Sequence, residues 1–384
     1  MNRDGNLRLR NKALHKTGIN DELLNPGYAK RGFLPLQDPL SAFPAGSPYG
    51  LLDEVGRRLP DLLLDKQFRS YVKSLKIPVW RSLGSNSTLP ELRLYYLRLG
   101  FLASAYINQV GLEPCHTLPA NIAIPLVKVC RLLKRPPILS YDGYALYNWR
   151  RLQQDQPIQL GNIDTLQNFV SLYDEHWFIL VHVEIEAIAA AILAAIARIY
   201  SAQTTAANAD YSAELWQIAA AVERQVEVLK RIPEKMDPAL YYKTFRPYIR
   251  FFEHVVFAGV ARQAINFRGE TGAQSSIIPV LVAFLKIPHQ SSILTEHLAA
   301  MRSYMPEPHR RYLQQVSAMP NIRNKADKNA FNAILNKLIE FRTVHFAWAD
   351  EYIHRHVKDP RGTGGTPYMK WLQQLIDETE AYKI

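Results

Sequence analysis

The chain has 384 residues, more than one hydrophobic core usually holds, so two packed units with room to enclose a ligand are expected. Its 48% hydrophobic and 21% charged residues belong to an ordinary soluble globular protein, and neither low-complexity tracts nor an internal repeat is visible. The formal charge of +11 comes from scattered basic side chains, densest at Arg8, Arg10, Lys12 and Lys16, with no nucleic-acid motif beside them, so no nucleic-acid partner is expected.

Cys115 and Cys130 are the two cysteines. Two are too few for a disulfide scaffold or a Cys-rich zinc or iron–sulfur site, and a reducing, cytoplasmic setting fits them best. The N-terminus has no apolar run behind its basic residues, so no secretory signal is expected.

In chain order, Pro26, Pro35, Pro39, Pro44 and Pro48 predict an extended segment lying over a domain, followed by short helices. Periodicity predicts helices over 89–110 and 125–133, the second stopped by Pro136-Pro137. The polar stretch after Trp149, to about Gln167, is the best linker candidate. Beyond it the pattern is helical almost throughout: 166–201, 211–230, 238–252, 274–284, 292–301, 308–317 and 328–355, with few strand signals. The most apolar run, 177–199, approaches membrane-spanning length, but His182, Glu184, Glu186 and Arg198 interrupt it. It reads as a buried core helix, and no membrane partner is expected.

On the last long helix, Phe341, His345, Trp348 and Tyr352 fall on one stripe. An imidazole among aromatic neighbours either finds a hydrogen-bond partner in the core or binds an acceptor of its lone pair, such as a haem iron. That helix should end by Asp359-Pro360, before the loop Arg361-Gly362-Thr363-Gly364-Gly365-Thr366. The loop lacks a P-loop lysine and a preceding strand, so it reads as a lid rather than a phosphate cradle.

Seven segments in register resemble the indoleamine 2,3-dioxygenase family of haem proteins, as a bacterial-type member. The early ones are Arg31-Gly32-Phe33-Leu34-Pro35, Leu118-Pro119-Ala120-Asn121-Ile122-Ala123-Ile124-Pro125 and Pro137-Ile138-Leu139-Ser140-Tyr141. Next come Phe267-Arg268-Gly269-Glu270-Thr271-Gly272-Ala273-Gln274-Ser275-Ser276 and Met301-Arg302-Ser303-Tyr304-Met305-Pro306-Glu307-Pro308-His309-Arg310. The His345 helix and the glycine-threonine loop complete the set. The resemblance implies a mainly α fold. Residues 1–165 would form a smaller N-terminal domain and linker contributing to the distal pocket, and 166–384 a large all-helical domain enclosing haem b.

The resemblance further implies His345 as the axial ligand and Arg342 beside a haem propionate, the alternative for Arg342 being a surface charge. Phe178 and His182, one turn apart, map to the distal positions; His182 would accept a hydrogen bond from an indole nitrogen, or else be a core histidine bonded to a helix carbonyl. Tyr141 and Tyr144 match positions beside the haem. Arg246 matches the arginine for the substrate carboxylate, a task suited to a guanidinium fork, with a structural ion pair as the other reading. Tyr241 stands where the family usually has phenylalanine. Gly362 and Thr363 would close over the substrate, while Thr271 and Gly269 would line the haem's far side.

The implied reaction inserts O2 across the indole C2–C3 bond of L-tryptophan or a related indoleamine, giving an N-formylkynurenine-type product in the kynurenine pathway of tryptophan catabolism. Two alternatives remain: a pyrrolnitrin-pathway-like rearrangement of a tryptophan derivative, and a haem-binding sensor without turnover.

Overall fold

Apolar side chains on every face drive one helix into the centre of the molecule. The computed structural model describes residues 21–81, 88–205, 210–356 and 368–384. The helices that position the site are α1 (Pro26–Arg31), α2 (Gly50–Arg57), α3 (Leu89–Ile107), α4 (Ala120–Leu132) and the central α5 (Tyr173–Thr205). They continue with α6 (Ser212–Lys230), α7 (Ile277–Leu285), α8 (Glu307–Ala318), α9 (Lys328–Tyr352) and α10 (Tyr368–Glu380). The expected mainly α class is what the chain adopts.

Helix α5 packs on α6 and α1, and α9 packs on α6 and α10. It is long and apolar enough to cross a membrane, yet it is largely buried by these neighbours. Glu175 and Glu186 lie on it fully buried, each with hydrogen-bond donors around it. At the end of α1, Gly32 has φ +62°, and a Cβ there would sit 2.1 Å from the Glu186 carbonyl oxygen. Only glycine lets α1 close against α5.

Two apolar cores result. One gathers residues from Leu34 to Val183 and adds Tyr248, Phe252, Phe257, Met301 and Tyr304. The other joins Leu23, Tyr28 and Phe33 to α5, α6, α7, α8 and α9. Phe178 packs against both, so it stands at their seam.

Most helices lie where periodicity puts them, but the proline-rich stretch expected to be extended holds α1, which starts at Pro26, and the helix expected from Leu166 starts at Tyr173; three further segments differ. The helix expected from Pro125 begins at Ala120, and Pro125 is buried inside it. The expected linker is a hairpin, β2 (Trp149–Arg151) with β3 (Ile163–Thr165), anchored by buried Trp149 and Ile163; β1 (Thr117–Leu118) precedes it. Third, the helix expected over 238–252 breaks into a π turn, Tyr241–Phe245, and a 3-10 turn, Arg246–Ile249. Pro247 has no N–H to continue an α-helix, and the chain turns into β4 (Phe252–Phe257). Strand β4 pairs parallel with β1 and antiparallel with β5 (Ile265–Phe267). A register shift between Phe252 and Val255, with His254 at φ 52°, hides the alternation that marks a strand.

Candidate active site

Helix α9 is exposed on two sides. Thr343 and Ala347 face outward, and His345, about 200° round the helix from each, is exposed as well, on the α9 face that carries Tyr352 seven residues on. Burial pushes the His345 imidazole down to about 4, and the charge of His182 acts in the same direction. His345 is therefore neutral at physiological pH, with a nitrogen lone pair able to bind a metal.

His182 lies on α5, half-buried. Its Nδ1 is 2.7 Å from the Phe178 carbonyl oxygen. A carbonyl only accepts, so Nδ1 carries the proton and Nε2 keeps the lone pair. The helix-carbonyl bond expected of a core histidine is thus present, and it fixes the tautomer that leaves Nε2 an acceptor. Burial holds His182 below its ordinary pKa.

Aromatic rings connect the two helices. Phe178 lies 4.6 Å from the His182 ring, 5.5 Å from Tyr241 and 6.2 Å from Tyr144, and Tyr141 is 5.9 Å from His182. Tyr241 in turn meets Tyr352 of α9 edge-on at 5.8 Å. Tyr141, Tyr144, Phe178, His182 and Tyr241 are therefore brought together, with α9 alongside.

Both pocket tyrosines are held by buried carboxyls that the sequence reading did not assign. The Tyr141 hydroxyl donates to Glu186 Oε1 at 3.0 Å, which also accepts from Ser275 Oγ at 2.7 Å. Burial pushes Glu186 up to about 7, and its Oε2 has no hydrogen-bond partner among the described residues. The Tyr144 hydroxyl donates to Glu175 Oε1 at 3.1 Å, while the Phe169 and Val170 N–H groups donate to Oε2. Burial raises Glu175 and Glu270 to about 8 each. The available sequence signal for Glu186 was an acid inside the most apolar run; Glu175 lies just before that run and gave none. Tyr144 stacks with Phe101 and Phe169 in the first core, and its ring touches the site through Phe178.

Arg246 follows the π turn. It is 6% exposed, its guanidinium lies over the Tyr242 ring at 5.1 Å, and its Nε is buried without a hydrogen-bond partner. No carboxylate pairs with it among the described residues, so the structural ion-pair reading has no support there. Gly269 packs on the backbone behind Arg246: a Cβ would fall 2.4 Å from the Ile249 oxygen and the Arg250 carbonyl carbon. Gln274 ties this segment to the tyrosines, donating to the Gly269 carbonyl at 2.8 Å and accepting from Tyr141 N at 3.0 Å. The Thr271 hydroxyl caps the short turn Gly272–Gln274.

Arg342 is buried, so it is not the surface charge considered above. Its Nη1 donates to the Leu375 carbonyl at 2.6 Å and to the Thr379 hydroxyl, joining α9 to α10. Burial pushes it down to about 10. Nη2 and Nε make no bond to described residues. Gly362 and Thr363 lie outside the described residues.

Among the described residues, no three His, Cys, Asp or Glu side chains converge to hold a metal. A metal at His345 must bring its other ligands, as haem does, and one neutral imidazole on the helix whose Tyr352 meets this aromatic cluster fits that group.

The indoleamine 2,3-dioxygenase family model matches residues 28–361. Indoleamine 2,3-dioxygenase 1 of Mus musculus is 31% identical, covering 90% of this chain and 91% of its own length. The indoleamine 2,3-dioxygenase of Saccharomyces cerevisiae is 28% identical, with 91% of each chain covered. A 6-hydroxytryptophan 2,3-dioxygenase of Fusarium equiseti is 26% identical over 84% of this chain and 82% of its own. With a family match across most of its length, on a helical fold that sets His345 and His182 near one another, the chain belongs to the indoleamine 2,3-dioxygenase family and is a dioxygenase-type oxidoreductase.

Proposed function

We propose that the chain uses haem b to insert both atoms of O2 across the indole C2–C3 bond of L-tryptophan or a related indoleamine, giving an N-formylkynurenine-type product. The observation that carries this reading is a neutral, exposed His345 close enough to His182 for the two to interact electrostatically.

His345 would hold the iron through its free lone pair, with Arg342, Thr271 and Gly269 around the cofactor's edge. Bound there, haem supplies O2 binding and the electronic route to oxygen transfer, chemistry no side chain offers. The chain's own work is orientation. Phe178, Tyr141, Tyr144 and Tyr241 enclose the indole and exclude water. His182 Nε2 accepts the indole N–H bond, fixing which ring edge faces the reacting centre. Arg246 takes the substrate carboxylate in a two-pronged, charge-assisted contact, and Gly362 and Thr363, outside the described residues, would also bind substrate.

The test is turnover of L-tryptophan by reduced, haem-loaded protein under labelled dioxygen. Two labelled oxygens in a ring-opened product support the reading; a rearranged product of other mass supports pyrrolnitrin-like chemistry, and saturable binding without oxygen incorporation makes the protein a sensor. The Fusarium relative's name adds hydroxylated indoles as substrates to try. The two free cysteines, one buried and one half-buried, support a reducing, cytoplasmic location.

A further inference from the structure

The cleft between α1, the loop after it, and the starts of α3 and α8 encloses about 340 Å³. That lies within the range of small-molecule sites, roughly 300–1,000 Å³. None of its lining residues is among those assigned to the haem pocket. Its walls are largely apolar and aromatic, including Tyr28, Phe33, Leu34, Leu40, Leu94 and Tyr147.

Charge inside the cleft is unbalanced. Asp38 is already matched by two guanidinium groups, Arg31 at 2.8 Å and Arg151 at 2.9 Å. His309 is pushed down to about 3 by burial and by the charge of Arg93, so it is neutral; its Nδ1 sits 3.1 Å from the Ser276 hydroxyl. Arg93 lies over the Tyr147 ring at 4.8 Å, its Nε is buried with no hydrogen-bond partner, and no carboxylate among the described residues pairs with it. A guanidinium with no carboxylate partner, set against a partly closed apolar wall, is a strong hydrogen-bond donor to a carboxylate, through parallel charge-assisted bonds.

We propose that this cleft is a second ligand site that takes a small monocarboxylate with an aromatic body. Arg93 receives the carboxylate, and the ring packs on Tyr28, Phe33 and Tyr147. A free amino acid fits poorly. Its ammonium would meet Arg93 and the Arg31–Arg151 pair with no unmatched acid to receive it.

The experiment is isothermal titration of the full chain with phenylacetate, its neutral amide and L-phenylalanine. Phenylacetate is expected to bind saturably, and the other two at least about tenfold more weakly. Arg93→Gln should weaken phenylacetate about tenfold, and so should Leu36→Glu, which sets a negative charge at the rim. Leu36 is 62% exposed, so that substitution spares the core and decides the matter even where Arg93→Gln fails to fold. Arg246→Ala should leave the affinity unchanged. Absence of saturable binding, equal affinity for the amide, or full affinity in folded Leu36→Glu overturns the proposal. Loss of binding in Arg246→Ala also overturns it, because it moves the ligand to the haem pocket.

Discussion

The proposed function gives three side chains separable tasks, and each task has its own readout. His345→Ala removes the sole imidazole that α9 offers to the site, so stable haem binding should vanish; an unchanged haem absorption spectrum would overturn the ligand assignment. Arg246→Ala should keep haem but weaken L-tryptophan binding by about 2–4 kcal/mol, the scale of breaking a buried, hydrogen-bonded charge contact. Arg246→Lys should recover only part of that loss, because an ammonium lacks the planar fork. For His182 the tautomer supplies the test. With Nδ1 tied to the Phe178 carbonyl, only Nε2 can accept the indole N–H, so His182→Ala should slow turnover of L-tryptophan while leaving a 1-methyl-tryptophan substrate, which has no N–H, unaffected. Equal losses on both substrates would make His182 a packing residue. That Phe178 and His182 share one helix face, and that Phe341, His345, Trp348 and Tyr352 share another, was legible in the sequence from spacing alone. Glu186 was legible only as an oddity in an apolar run and Glu175 not at all, since burial and partner choice are decided by segments 45 and 31 residues away in Tyr141 and Tyr144.

At the level of elements, α5 is both the central strut of the fold and the carrier of two buried carboxyls, and that couples stability to pH. Glu186 is raised to about 7 from an unfolded value of ~4.3. Between those limits the folded chain keeps a proton that the unfolded chain has released, so stability falls as pH rises through the window. Glu175, raised to about 8, extends the same trend upward. Glu186→Gln keeps an oxygen for Tyr141 and Ser275 but cannot ionise, so urea melts taken at about pH 5 and about pH 8 should differ less in the variant than in the parent. An identical pH slope in both would mean that Glu186 stays charged. Elements with one strong period, such as α3, α6 and α9, were readable to within a few residues. The β4–β5 pair was not, because a register shift at His254 breaks its alternation, and the π turn Tyr241–Phe245 has no periodic signature of its own.

Across the whole molecule, the aromatic cluster of the site lies at the seam of two cores, with Phe178 touching both and Tyr352 of α9 meeting Tyr241. A ligand seated at such a seam binds the folded chain and not the unfolded one, so it stabilises both cores together. The final prediction follows from that linkage. Haem at about one hundred times its dissociation constant should add ~2.7 kcal/mol to the unfolding free energy, visible as a rise in melting temperature that grows with free haem. The rise should appear equally in near-ultraviolet signals from the aromatic-rich first core and in the helical signal dominated by α5, α6 and α9. His345→Ala should melt close to the haem-free parent and show no dependence on haem concentration. A haem-dependent rise surviving in that variant would mean that iron is held elsewhere; a rise confined to one of the two signals would place the cofactor inside one core and not between them.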